Sequence, residues 1–266
     1  MMNIIRADIY RIVRGKGIFI TFAILLALNI LVVATSDGGT IGINMGELEE
    51  ALGYDYAEAQ FDGLHIVEVL YTNTDNLAYY LLPLFILVAA PMFSHGTIKN
   101  SLSCGMSRVK LYFAKLLLSS GLSLLMLLFY ILSGILIATI IRGYGGTPPD
   151  GYLLNILKIC SAQFFLLLAL NCVGIFLIFI SQRTAAVIGI YLAFCLVPAL
   201  IIMFLMGANP DAIKLYDFDL LGNIQKLGHM GALKRPDFIK AFATGTFYIV
   251  ASTIGGIALF KRAEIK

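Results

Sequence analysis

The residues of this sequence best suited to chemistry lie in one basic segment, residues 93–116, which separates two long apolar runs. The segment contains no Asp or Glu, and its four cations are Lys99, Arg108, Lys110 and Lys115. A loop rich in cations beside transmembrane segments is typical of the cytoplasmic side of a membrane. The chemistry that it offers is electrostatic, and its placement predicts the orientation of the rest of the chain.

Elsewhere the sequence lacks the patterns of catalytic and metal sites. It contains no HExxH, no GxSxG, no CxxC and no GxxxxGK[ST] motif. The three histidines, His65, His95 and His229, are predicted to fall on both sides of a membrane, which argues against a histidine metal site. The centres of the predicted spans carry no carboxylate, Lys, Arg or His, although ion-coupled carriers and intramembrane enzymes usually need such a group there. We therefore predict no catalytic residue, no metal site and no ATP hydrolysis by this chain.

Composition places the chain among polytopic membrane proteins. Of its 266 residues, 59% are hydrophobic and 13% are charged, and the mean hydropathy is +0.89. Soluble domains are far more polar than this. The net charge of +3 is small and its cations are spread over several segments, so nucleic acid is not expected as a partner.

The apolar pattern predicts an all-α integral membrane protein with one transmembrane domain, residues 1–266. Residues 3–14 have apolar side chains at helical spacing and basic side chains opposite, which predicts an amphipathic helix lying in the membrane interface. The first apolar run resembles a signal peptide, but its core is longer than usual, so we expect it to remain as a span. The predicted spans are residues 17–35, 77–93, 116–141, 159–180, 185–206 and 242–260.

Charge asymmetry orients these spans with both termini in the cytoplasm. The segments placed inside hold twelve of the nineteen Lys and Arg residues but only two of the sixteen acids. Residues 36–76 hold nine acids and no Lys or Arg, as expected of a translocated loop. Residues 207–240 form a second external loop of mixed charge. Helical spacing within the first external loop predicts one or two short surface helices there.

The basic segment also carries a family resemblance. Its sequence, GTIKNSLSCGMSRVKLYFAK from Gly96 to Lys115, resembles the loop after the second helix in permease subunits of ABC exporters of the ABC-2 type. The interfacial helix, the six spans and the enlarged first and fifth loops resemble that family in architecture. The resemblance implies short helices between the last two spans, which the stretch DFDLLGNIQKLGHM would suit. The resemblance implies that loop 94–115 forms a short coupling helix, which docks on a separate ATPase. The implied ATPase-coupling residues are Gly96, Lys99, Leu102, Gly105, Ser107, Arg108 and Lys110.

The resemblance further implies an assembly in the plasma membrane of a bacterium. Two copies of an ABC ATPase subunit would bind ATP and Mg²⁺, no cofactor would bind to this chain, and a second permease, identical or different, would complete the pathway among membrane lipids. The helix-bending residues Pro83 and Pro198 would lie in the spans that line the pathway. The exported substrate would be an amphipathic or cationic peptide, such as an antimicrobial peptide, or a similar hydrophobic molecule, with self-immunity of a Gram-positive bacterium as one role.

Other interpretations of the same residues stay open. The basic segment could be an ordinary cytoplasmic loop with no partner, and the chain a membrane scaffold, a sensor component or a carrier not driven by ATP. The acidic first loop could attract cationic substrates or simply reflect charge sorting across the membrane. Small residues in the last span, spaced as Ala251/Gly255 and Ser252/Gly256, are expected to pack within the bundle rather than at a dimer interface.

Overall fold

The computed structural model describes residues 2–35, 62–94, 98, 105–148, 151–228 and 235–262. These residues are helical or lie in turns, and no strand occurs among them. Two 3-10 segments, Thr74–Asn76 and Pro210–Phe218, supplement the α-helices. The α-helices of the described part are α1 Met2–Arg14, α2 Lys16–Thr35, α3 Ile66–Thr72, α4 Leu77–Ser94, α5 Arg108–Arg142, α6 Tyr152–Ser181, α7 Thr184–Ala208, α8 Leu220–Gly228 and α9 Arg235–Arg262.

Six of these helices are long and apolar enough to cross a membrane, namely α2, α4, α5, α6, α7 and α9. This confirms the prediction of six apolar spanning helices and a multi-pass membrane protein. Successive spans run in alternating directions, so the beginnings of α2, α5 and α7 share one end of the bundle with the ends of α4, α6 and α9. We call this end, which carries α1 and the basic segment, the basic end. The opposite end is called the far end.

Several helices begin earlier than the apolar runs suggested. α5 begins at Arg108 rather than at residue 116, α6 at Tyr152 rather than at residue 159, and α9 at Arg235 rather than at residue 242. The predicted bounds followed hydropathy, which measures transfer into lipid, whereas a helix continues as long as its backbone hydrogen bonds do. At about 1.5 Å per residue, α5 is about 52 Å long, well beyond the thickness of a hydrocarbon core.

Helix α6 lies at the centre of the bundle. Of its most apolar stretch, 61% is buried by the rest of the protein, against 22% for α2 and 17% for α9. Gly174 on α6 faces the ring of Phe85 on α4 so closely that a Cβ atom would lie 2.4 Å from a ring carbon. Glycine is therefore needed at this crossing, because a larger residue would push the two helices apart.

Of the small residues of α9, Ser252 and Gly256 are buried in the bundle, as the sequence predicted, and Gly255 is half-buried, whereas Ala251 is exposed. A Cβ atom on Gly256 would lie 2.6 Å from the hydroxyl oxygen of Tyr112 on α5, and one on Gly255 would lie 3.1 Å from a ring carbon of Phe176 on α6. The hydroxyl of Tyr112 also donates to the backbone oxygen of Ser252 at 3.4 Å. The small side chains thus allow α9 to approach both α5 and α6.

Uncharged polar side chains connect the spans. Asn29 on α2 donates to the backbone oxygen of Tyr130 at 3.0 Å and to Oγ of Ser133 at 2.8 Å, both on α5. Asn171 on α6 accepts from Oγ of Ser119 on α5 at 2.5 Å and donates to Ser120. Between apolar helices these bonds satisfy groups that would otherwise be costly to bury, and they define which helix faces meet.

At the far end, the short helices α3 and α8 pack against each other and against α6. The side-chain amide of Gln163 on α6 donates to the backbone oxygen of Tyr71 at 2.7 Å and to that of Ile224 at 3.3 Å, so one side chain holds both segments. Helix α8 falls within the stretch predicted to form a short helix between the last two spans. Of the first external loop, residues 36–61 lie outside the described residues, and α3 is the short helix in the remainder.

Candidate functional site

The basic end is built on a cluster of four aromatic rings, each from a different span. Phe179 of α6 makes edge contacts with Phe93 of α4 at 5.5 Å, with Tyr112 of α5 at 4.9 Å and with Phe260 of α9 at 4.7 Å between ring centroids. Phe179, Tyr112 and Phe260 are buried. Edge-to-face geometry is the favoured arrangement of such rings. The cluster therefore holds four helix ends in one rigid group beside the basic segment.

Arg108 connects this group to the last helix. Its Nη1 donates to the backbone oxygens of Phe260 at 2.7 Å and Lys261 at 3.0 Å, and its guanidinium lies 5.6 Å from the ring centroid of Phe260. The last carbonyls of a helix lack intrahelical donors and carry partial negative charge. A cation in the first turn of its own helix α5 is unfavourable, but here the adjacent C-terminus of α9 compensates for it.

The turn before α5 positions Arg108. Gly105 adopts φ +80°, a conformation that glycine takes without the steric cost of a Cβ atom. Ser107 then serves as N-cap, and its Oγ accepts from the backbone N–H of Lys110 at 3.3 Å. These two residues end the turn and begin helix α5 within the basic segment, so Arg108 stands in the first turn, next to α9.

A buried ion pair joins the N-terminal helix to α5. Nζ of Lys115 lies 2.6 Å from Oδ2 of Asp8, with 3% and 7% of the two residues exposed. Oδ1 of Asp8 lies 3.1 Å from Nη2 of Arg11, whose side chain is 41% exposed. Removing charges from water is costly, so a buried pair specifies position more than it adds stability. The pair fixes where α1 packs on α5.

Arg11 also binds the end of α4. Its Nη2 donates to the backbone oxygen of Leu87 at 3.1 Å and to that of Val88 at 3.2 Å. Pro91 stands four residues after Leu87 and has no N–H, so the carbonyl of Leu87 lacks its normal helical donor. Arg11 supplies the missing hydrogen bond. Helix α1 therefore contacts both helices that flank the basic segment.

The structure places the predicted site residues unequally. Gly105, Ser107 and Arg108 hold the start of α5, whereas Lys110 is exposed on its first turn. Gly96, Lys99 and Leu102 lie outside the described residues, as do the other residues of 95–97 and 99–104, whereas residues 108–115 of the predicted coupling loop belong to α5. Pro83 and Pro198 lie inside α4 and α7 respectively. Contact of any of these residues with an ATPase, and a pathway along α4 and α7, stay predictions.

Sequence reasoning missed two members of the site, Asp8 and Arg11. Asp8 is the only acid in the basic N-terminal stretch, which was a usable signal that it has a partner. Its partner could not be identified from the sequence, because Lys115 is 107 positions away. Pro91 is visible in the sequence of the second span, but the carbonyl that it leaves free is bound by Arg11 only once α1 and α4 are packed together.

A second polar group lies at the far end, between α7 and α9. Asp217 pairs with Lys226 at 2.5 Å and with Lys240 at 2.7 Å. Burial would raise the pKa of Asp217, but hydrogen bonds from the two ammonium groups outweigh it and hold that pKa below its ordinary value. Burial raises the pKa of Asp219 to about 6, although its carboxylate accepts backbone N–H groups at the start of α8, including that of Gly222 at 2.9 Å.

Neither end resembles a metal centre in the described part of the chain, where no three His, Cys, Asp or Glu side chains come together. The chain matches no known protein-family model. No curated protein is significantly similar to it. The function must therefore be argued from the contacts that the chain makes within itself.

Proposed function

We propose that this chain is the transmembrane permease subunit of an ABC exporter of the ABC-2 type, working with a separate ATPase subunit. One observation carries the proposal. The residues that end the basic segment and begin α5 bind three other elements at the basic end, so a movement of this segment would reach most of the bundle.

The connections form a continuous path. From α5, Arg108 binds the C-terminus of α9, Tyr112 joins the aromatic cluster, and Lys115 binds Asp8 of α1. From α1, Arg11 returns to the end of α4. The helices on both sides of the basic segment are thus held by the same small set of side chains. This favours transmission of force from the segment to α4 and α5 together.

The cations of the basic segment differ in exposure, and this difference indicates which of them could contact another protein. Arg108 and Lys115 serve contacts within the chain, so they are poorly placed to be the main contacts of another protein. Lys110 is exposed beside them. In this proposal Lys110, with Lys99 of the same segment, meets acidic or polar surface on the ATPase. Rim charges of this kind act on the rate of association more than on affinity.

The pathway would lie along the two proline-containing spans, α4 and α7. These helices pack against each other through Tyr191 of α7, whose hydroxyl donates to the backbone oxygen of Ala78 at 3.0 Å and whose ring lies 4.9 Å from that of Phe85. Interior prolines such as Pro83 and Pro198 weaken helical hydrogen bonding and permit bending. A change in this contact would open or close a route between two permeases.

The remaining components of the exporter are inferred from a motif that the sequence lacks and from the charges that it carries. With no phosphate-binding motif in the sequence, ATP and Mg²⁺ are assigned to two copies of the partner subunit. A second permease, identical or different, completes the exporter. With both termini and the basic end in the cytoplasm and α1 in the membrane interface, the acidic loop 36–76 faces outward. It favours an amphipathic or cationic peptide as substrate, exported across a bacterial plasma membrane.

The test is co-purification of the tagged chain with the products of neighbouring genes, followed by an ATPase assay. Lys110→Glu should slow association with the ATPase and lower its stimulated activity, since the reversed charge would face acidic surface. Arg183→Glu is the matched control, because Arg183 is an exposed cation at the same end but outside the segment. No co-purifying ATPase, or equal effects of the two reversals, would favour a scaffold, sensor or carrier instead.

A further inference from the structure

One side of helix α1 is held by the bundle, and the other side is exposed. On the bundle side Asp8 and Ile12 are buried, and Arg11 bonds to the end of α4. Arg6 and Arg14 lie on the exposed side. Asp8 is the one acid at the basic end within the described residues, and it already pairs with Lys115 and Arg11. The charges of Arg6 and Arg14 are therefore available to a molecule outside the bundle.

Two chemically different rows run along the exposed side. Arg6, Tyr10 and Arg14 follow one another at intervals of four residues, which aligns them on a helix, and we call them the basic row. The guanidinium of Arg14 lies 4.5 Å from the ring centroid of Tyr10, so the row is partly ordered by a cation–π contact. Ile9 and Val13 form an apolar row beside it, and their side chains are 45% and 55% exposed. The helix thus presents cations and hydrocarbon next to each other.

The position of α1 in the chain indicates what covers this side. Only Gly15 separates the end of α1 from the start of α2, which is long and apolar enough to cross a membrane. Helix α1 therefore begins where a span meets the membrane surface. There, apolar side chains of an amphipathic helix enter the boundary of the acyl chains, and its cations attract anionic headgroups. A lipid with net negative charge complements both rows, whereas a zwitterionic lipid complements mainly the apolar row.

We propose that the exposed side of α1 binds anionic phospholipid, with the basic row contacting its phosphate and the apolar row its acyl chains. Because Asp8 and Arg11 tie the opposite side of α1 to α5 and α4, lipid and bundle together hold this helix in place. The inference goes beyond the proposed function and needs neither an ATPase nor a second permease. Its test uses this chain alone, so its failure leaves the export proposal unaffected.

The sequence contains no tryptophan, which permits a local test. Tyr10→Trp places the single tryptophan of the full chain in the basic row, in nanodiscs with equal amounts of phosphatidylcholine and phosphatidylglycerol. In one sample the phosphatidylglycerol carries bromine near the top of its acyl chains, and in the other the phosphatidylcholine does. Bromine quenches tryptophan fluorescence only at contact, so the two samples compare the lipids beside α1. Phosphatidylglycerol should be enriched several-fold, because each cation near the surface favours anionic lipid by up to about fivefold.

Matched variants separate the basic row from the net charge of the protein. Arg6→Gln with Arg14→Gln should make the two lipids quench equally, whereas Arg6→Lys with Arg14→Lys should keep most of the preference because the charges remain. Arg183→Gln with Arg262→Gln removes two exposed cations at the same end but outside α1, and should leave the preference unchanged.

The chain with Tyr10→Trp alone keeps both arginines, so its result stands even if a further variant does not fold. Equal quenching by the two lipids in that chain would overturn the proposal and favour an acidic protein surface as the partner of the basic row. A preference that survives the glutamine pair in α1, or that the control pair abolishes equally, would also overturn it.

Discussion

The geometry of the buried pair of Asp8 and Lys115 predicts that replacing Asp8 destabilises the protein more than replacing Lys115. Replacing Asp8 with Asn leaves the ammonium of Lys115, which is 3% exposed, without the carboxylate 2.6 Å away. Breaking a buried pair from one side costs about 3–5 kcal/mol. Replacing Lys115 with Met leaves Asp8 its second cation, Arg11, at 3.1 Å. We expect Lys115→Met to lose less stability than Asp8→Asn, with a difference of about 1–2 kcal/mol, because Asp8 keeps its charged hydrogen bond to Arg11.

The double variant Asp8→Leu, Lys115→Met should be milder than Asp8→Asn, because no buried ammonium remains and apolar replacements often match a buried pair. The measurement is hydrogen exchange of the α1 amides in nanodiscs, supported by thermal unfolding. Exchange in α1 should rise most in Asp8→Asn. A Lys115→Met effect as large as that of Asp8→Asn, or a double variant as unstable as Asp8→Asn, would refute the argument that uncompensated burial of Lys115 dominates.

Three further predictions concern the other contacts. Arg108→Leu should release the last turn of α9, because the carbonyls of Phe260 and Lys261 lose their donor, and hydrogen exchange at residues 258–262 should rise severalfold. Gly174→Ala should destabilise the bundle by about 1–3 kcal/mol, since the added methyl group meets the ring of Phe85, and thermal unfolding in nanodiscs would measure it. Burial raises the pKa of Asp219 to about 6 from an ordinary 3.8, so the packed α8 favours the protonated carboxyl and is most stable below pH 4. Hydrogen exchange in α8 should therefore increase from pH 5 to pH 7, after correction for the intrinsic rate.

The controls for these predictions follow from the same geometry. Asn in place of Asp219 keeps an N-cap but cannot titrate, so the pH dependence of α8 should disappear. The pKa of Asp217 is lowered, so the stability that Asp217 contributes is lost only below the range of pH 5 to pH 7. Asp217 therefore does not affect the comparison. Gly121→Ala, at a glycine of α5 with open space around it, should cost little. Hydrogen exchange in α8 that does not change with pH in the unmodified chain would contradict the prediction for Asp219. Equal effects of Gly174→Ala and Gly121→Ala would contradict the prediction for Gly174.

Much of the fold was predictable because membrane spans depend on local composition. Each spanning helix must be apolar over a length set by the lipid, and its backbone bonds are internal, so an apolar run suffices to locate it. The helix starts at Arg108 and Tyr152 were missed because polar residues precede the apolar core in both helices. The caps and packing partners that extend these helices are not visible in hydropathy.

Residues of the basic segment show which contacts could not be predicted from the sequence. The sequence grouped Arg108, Tyr112 and Lys115 in one pattern but gave no means of telling which of them face inward. In the structure Arg108 reaches a residue 152 positions away and Lys115 one 107 positions away. No local signal encodes such pairs, since residue types set only what a side chain could bind.

Local chemistry thus decides that this chain has six apolar spans and an amphipathic first helix, and that its sequence lacks the GxxxxGK[ST] motif. Packing decides the rest, because a contact depends on which helix faces meet and at what depth. The carbonyl left free by Pro91 exists in the sequence, but only the packed bundle brings Arg11 to it.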